Sequence, residues 1–164
     1  MQVGRAGEDG AGERAARDGA VLELVLERTY DAGRELVFAA LTRPELLRRW
    51  SAPAGLEVVD GHTDLRPGGS WSVVMQEAGG ARHEAHGTYR EIEWPEWIAY
   101  THAWRADGAP ETALTLELET VRGGTRLTLT QAGFASEGSR DGHRDGWSSA
   151  LDNLGTLLCS VGEP

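Results

Sequence analysis

The chain has 164 residues and a formal net charge of −10. That length suits one domain with a self-sufficient core, and the acidic balance argues against a surface built for nucleic-acid backbones or anionic lipid heads. All sixteen basic residues are arginine, which excludes Schiff-base chemistry, a P-loop lysine and a lysine general base. Cys159, the single cysteine, allows no internal disulfide. No apolar run approaches the ~18–20 residues of a membrane span, and the N-terminus lacks the apolar segment of a secretory signal. These features set a soluble cytoplasmic protein without a cofactor as the expectation.

Met1 to Gly19 is rich in Gly, Ala, Arg and acids and has no aromatic residue, so it reads as a disordered leader before a single domain over 20–164. Val21 to Thr29 is a strand with Leu22, Leu24 and Leu26 on one face. Asp31 is placed to cap a helix carrying Leu36, Val37, Ala40 and Leu41, and Pro44 opens a second short helix that ends near Trp50. Leu56 to Leu65 and Ser70 to Glu77 form a hairpin around Arg66-Pro-Gly-Gly69. Glu84 to Ile92 and Glu96 to Trp104 follow, separated by Trp94-Pro95, and Thr112 to Val121 and Thr125 to Ala132 flank Arg122-Gly-Gly124. Three strands are apolar on one face and polar on the other, so the sheet needs a cover. Trp147, Leu151, Leu154, Leu158 and Val161 give one helical stripe that supplies it.

Five segments carry a resemblance: Pro44-Glu-Leu-Leu-Arg-Arg-Trp50, the turn Asp64-Leu-Arg-Pro-Gly-Gly-Ser-Trp71, Gly87-Thr-Tyr-Arg-Glu-Ile92, Ile98-Ala-Tyr-Thr101 and Gly146 to Leu154. In this order and spacing they resemble the START-like (SRPBCC) superfamily, and more narrowly the family named after the activator of the ninety-kilodalton heat-shock chaperone's ATPase. The resemblance implies an α+β helix-grip fold. A curved antiparallel sheet of about six to seven strands would wrap a long C-terminal helix, with two short helices after the first strand. It also implies a cavity between sheet and helix, typically of order 300–1,000 Å³. The expected lining is Trp50, Trp71, Val73, Met75, His86, Tyr100, His102, Trp104, Leu116, Trp147, Leu151 and Leu154.

His102 shares a strand face with Ile98, Tyr100 and Trp104, so an inward-facing His102 is the candidate acid or base, with His86 second. His83 and His86 stand three apart on a strand and point to opposite faces, so they cannot share a metal. His62 and His143 read as solvated. Glu117 and Glu119 share the polar sheet face, and no carboxylate pair is forced together as a glycosidase would need. The serines lack a nucleophile elbow, and the glycine pairs read as hairpin turns that open no phosphate-binding helix. Cys159 reads as a small packing residue.

Three functions follow from these readings. The chain could bind a small apolar or amphipathic molecule, act as a cyclase- or dehydrase-like enzyme on the same scaffold, or engage a chaperone as the family name implies. An edge strand also leaves a route to a symmetric homodimer.

Overall fold

Seven strands of alternating character pair into one antiparallel sheet in the computed structural model, which describes residues 22–105, 108 and 110–161. The leader expected over 1–19 lies outside the described residues. The strands are β1 (Leu22–Tyr30), β2 (Leu56–Thr63), β3 (Ser70–Glu77), β4 (Arg82–Glu93), β5 (Trp97–Trp104), β6 (Thr112–Val121) and β7 (Gly124–Phe134). Their order is β1-β7-β6-β5-β4-β3-β2. Neighbours in sequence pair by hairpins, whereas β1 joins the opposite edge beside β7. The link from β1 to β2 carries α1 (Arg34–Thr42) and α2 (Pro44–Leu47), and α3 (Glu137–Val161) follows β7. This is a helix-grip fold: a curved antiparallel sheet, two short helices after the first strand and a long C-terminal helix. Among the described residues no helix is long and apolar enough to cross a membrane.

Two helix starts differ from the sequence expectation. Gly33, not Asp31, is the N-cap of α1, and no side chain caps it. The Ala32 carbonyl accepts from Thr125 Oγ1 at 2.6 Å, which ties this turn to β7 and delays the helix to Arg34. α3 begins ten residues before Trp147. Ser136 Oγ accepts from the Ser139 N–H at 3.0 Å, the bond of an N-cap. The far end also departs from the expected stripe: Leu157 is buried alongside Leu158, and Val161 is exposed.

The hairpin at Pro67-Gly-Gly69 does more than reverse the chain. Gly68, at φ +87°, donates its N–H to the Tyr89 carbonyl at 2.8 Å, and the Tyr89 N–H returns a 2.8 Å bond to the Gly69 carbonyl. The turn is thereby folded onto β4. A Cβ at Gly69 would overlap the Asp64 carbonyl oxygen, so only glycine fits. A bulge between Tyr89 and Glu91 resets the strand. It leaves Thr88 exposed, turns Tyr89 inward, and brings Ile92 onto the core side despite its opposite parity.

Trp71 passes close to β4 and β5 at Gly87. Its Nε1 donates to the Thr101 carbonyl at 3.0 Å, and Thr101 Oγ1 accepts from the Thr88 N–H at 2.9 Å. These side-chain bonds stand in where the β4–β5 ladder has no paired residues between His86 and Tyr89.

Candidate ligand-binding cavity

The inner sheet face and the first half of α3 enclose a cavity of about 380 Å³. Trp71, Val73 and Met75 of β3, Ala85 and Tyr89 of β4, and Ile98, Tyr100, His102 and Trp104 of β5 form its wall with Leu116 of β6. Leu41, Leu47, Trp50, Ser51, Pro53 and Leu56 close one end. No carboxylate or guanidinium lines it among the described residues.

The helix contributes mostly by what it lacks. Gly138, Gly142, Gly146 and Ala150 recur every four residues and so share one face, and all four line the cavity. A Cβ at Gly142 would meet nothing within 4 Å, and one at Gly146 only Pro53 Cγ at 4.0 Å. Space that side chains would otherwise fill stays open. Gly138 and Gly142 are themselves exposed, so the cavity mouth runs along this stretch. Interior helical glycine costs about 1 kcal/mol relative to alanine, so Gly142 and Gly146 keep the mouth open at a real loss of stability.

Past Ala150 the helix changes role. Leu151, Leu154, Leu157 and Leu158 are each at most 4% exposed and pack into the solid core. Tyr30 Oη donates to the Leu151 carbonyl at 2.8 Å, anchoring this half to β1. Leu151 and Leu154, expected as lining, are therefore core residues. His86 is also outside the cavity: Ala85 is buried on the inward face, and His86 points the other way. The other expected lining residues, Trp50, Trp71, Val73, Met75, Tyr100, His102, Trp104, Leu116 and Trp147, all border the cavity.

Two polar networks fasten helix to sheet. His143, which the sequence suggested was solvated, lies at the mouth. Its Nε2 accepts from Trp104 Nε1 at 3.0 Å, and its Nδ1 faces the Ser139 carbonyl at 2.7 Å. An indole only donates and a carbonyl only accepts, so the partners assign a neutral ring with its proton on Nδ1. His102 is 7% exposed, and its ring lies 5.8 Å from that of His143 and 5.4 Å from that of Trp104. In the second network Trp147 Nε1 donates to Gln131 Oε1 at 2.8 Å. Gln131 Nε2 donates to Thr112 Oγ1 at 2.9 Å, and that hydroxyl donates to the His102 carbonyl at 3.0 Å. One chain of bonds thus joins α3, β7, β6 and β5. Gln131 is fully buried, so losing it strands a donor and an acceptor. Gln131→Met should cost about 1–3 kcal/mol in chemical denaturation. An unchanged midpoint would mean that Trp147 finds another acceptor.

The other chemical candidates lie apart. His83 pairs with Glu77 at the surface, Glu117 and Glu119 are exposed, and no group of three or more His, Cys, Asp or Glu is arranged for a metal among the described residues. Cys159 is exposed and is not a packing residue. Periodicity left open which of Thr88 and Tyr89 faces inward, since that turns on the bulge, and it missed the mouth residues of α3. The four-residue spacing of Gly138, Gly142 and Gly146 was the signal for the latter.

Solved structures share this architecture. One from Nitrosomonas europaea is 30% identical, with 86% of this chain and 96% of that one covered at a TM-score of 0.74. Another, from Silicibacter pomeroyi, is 28% identical over 84% of this chain and 98% of its own, at a TM-score of 0.76. A third, from Chromobacterium violaceum, is 27% identical over 83% and 96%, also at 0.76. No curated protein matches the chain. The family profile described as Activator of Hsp90 ATPase homolog 1-like protein matches residues 31–159. With that match over most of its length, the chain belongs to the Activator of Hsp90 ATPase homolog 1-like family.

Proposed function

We propose that this protein binds a small, uncharged and largely apolar molecule in the cavity between its sheet and α3. The observation that carries the reading is the glycine-lined mouth of α3 opening onto an apolar wall free of charged groups among the described residues. A charged ligand would be desolvated there without a counter-charge. At about 380 Å³ the cavity falls at the small end of the ~300–1,000 Å³ range of ligand sites.

The family description names a chaperone ATPase, which gives a second reading, a protein partner. Large exposed apolar residues are what such docking would use, and among the described residues these are Val25 on β1, Leu65 in the β2–β3 turn, Trp94 in the β4–β5 turn and Val161 at the end of α3. That distribution favours the ligand over the partner.

Native mass spectrometry of protein purified without denaturation tests the proposal. The expected result is a stoichiometric neutral adduct that is lost on unfolding. Trp50, Trp71, Trp104 and Trp147 border the cavity, so added neutral aromatics should also change intrinsic fluorescence saturably. A bare mass together with no saturable response to any of a panel of such compounds would refute it.

A further inference from the structure

The indole donors that border the cavity are committed to protein acceptors, but two phenols are not. Tyr89 is 4% exposed and lines the cavity, and its ring lies 5.9 Å from that of Tyr100. Neither hydroxyl has a hydrogen-bond partner among the described residues. Tyr30 provides the contrast, since its buried hydroxyl is bonded to the Leu151 carbonyl. Burial pushes the pKa of both cavity phenols above the ordinary tyrosine range, and at Tyr100 the nearby Tyr89 adds to the shift. Both groups therefore stay protonated and available as donors, close enough to feel one another. Tyr100 keeps intermediate exposure despite this burial because its open surface faces the cavity.

A phenol in an apolar wall with no acceptor among the described residues is a donor that a ligand filling the cavity must satisfy, and the ligand does so only by accepting a hydrogen bond. We propose that Tyr89 and Tyr100 form a subsite for a carbonyl oxygen carried by an otherwise apolar, uncharged ligand. A carbonyl has two lone pairs, enough for one oxygen to serve both phenols, whose rings stand 5.9 Å apart. A carboxylate would also accept, but no guanidinium borders the cavity among the described residues to offset its charge. A plain hydrocarbon would leave both hydroxyls unpaired. The inference rests on the cavity being a ligand site and adds what that ligand must display.

The test uses 2-acetylnaphthalene and 2-ethylnaphthalene, which differ by a carbonyl in place of a methylene. Each is titrated into the full chain as wild type, Tyr89→Phe, Tyr100→Phe and the double variant. The ratio of ketone to hydrocarbon affinity should fall about fivefold from wild type to the double variant, the scale of a net hydrogen bond, while hydrocarbon affinity holds. The melting temperature without probe should stay level or rise in the double variant, since neither hydroxyl bonds a described residue. An unchanged ratio overturns the subsite and leaves the cavity as a binding site. A lowered melting temperature also overturns it, because the hydroxyls would then be serving the fold. Failure of both probes to bind wild type at their solubility limits overturns the subsite, while the ligand reading is decided separately by the native mass and the wider panel.

Discussion

Gly87→Ala is expected to destabilise the protein by about 3 kcal/mol or more. The added Cβ would overlap the Thr101 carbonyl oxygen and approach Trp71 Nε1 to 2.7 Å. Neither group can yield cheaply. The carbonyl belongs to the backbone of β5, and the indole is 7% exposed in the core and bonded to that same oxygen. Making room means parting β4 from β5, which breaks the Trp71 bond and the Thr88–Thr101 bond together. For a chain of this length the loss corresponds to a melting temperature lower by roughly 6–12 °C. Gly79→Ala is the control, since a Cβ there meets nothing within 4 Å, and its midpoint should barely move. Thermal and urea unfolding of both variants decide the matter. Equal stability of the two would mean that the close passage at Gly87 is not obligatory.

The second large effect concerns the mouth, and it runs in opposite directions for stability and binding. The double variant Gly142→Leu/Gly146→Leu replaces two helical glycines with a strong helix former, a gain of about 1–1.5 kcal/mol from propensity alone. Both positions border the cavity, and neither new Cβ meets a close neighbour, so the leucines can be accommodated and lean over the apolar opening. Affinity for a neutral aromatic probe should drop at least about tenfold, while the melting temperature rises. Calorimetric titration beside thermal unfolding reads both. A variant that binds as well as wild type would show that ligand does not pass or occupy this stretch of helix. One that melts lower would show that the glycines are needed for packing.

The sheet was legible because its strands alternate. Leu114, Leu116 and Leu118 against Glu117 and Glu119 leave no doubt which face of β6 is buried, and the burial follows that reading. The last turns of α3 were legible for the same reason, although Val161 falls off the stripe. The segment from Glu137 to Gly146 was not. It is Glu, Gly, Ser, Asp, Arg and His, with three glycines that weaken helix propensity and no apolar stripe. What keeps it helical is the Ser136 cap and the Trp104–His143 bond from the sheet, a tertiary contact invisible to periodicity. Tyr89 was obscured in another way. Parity counted from Ile92 places Thr88 inward, and only the bulge at Arg90 reverses the count. Tyr100 was expected in the lining, whereas its neighbour Tyr89 stayed undecided because it lies beside an irregularity.

The split character of α3 has an evolutionary consequence. Its C-terminal turns hold the fold through Leu151, Leu154, Leu157 and Leu158, whereas its N-terminal turns border the cavity largely through Gly138, Gly142 and Gly146. Substitutions at 138, 142 and 146 can therefore reshape the opening without disturbing the leucines that stabilise the domain. Selection on the cavity's opening would act on one face of three helical turns, and the scaffold would gain rather than lose stability as those glycines were replaced. Such a helix lets the shape of the cavity opening drift separately from foldability.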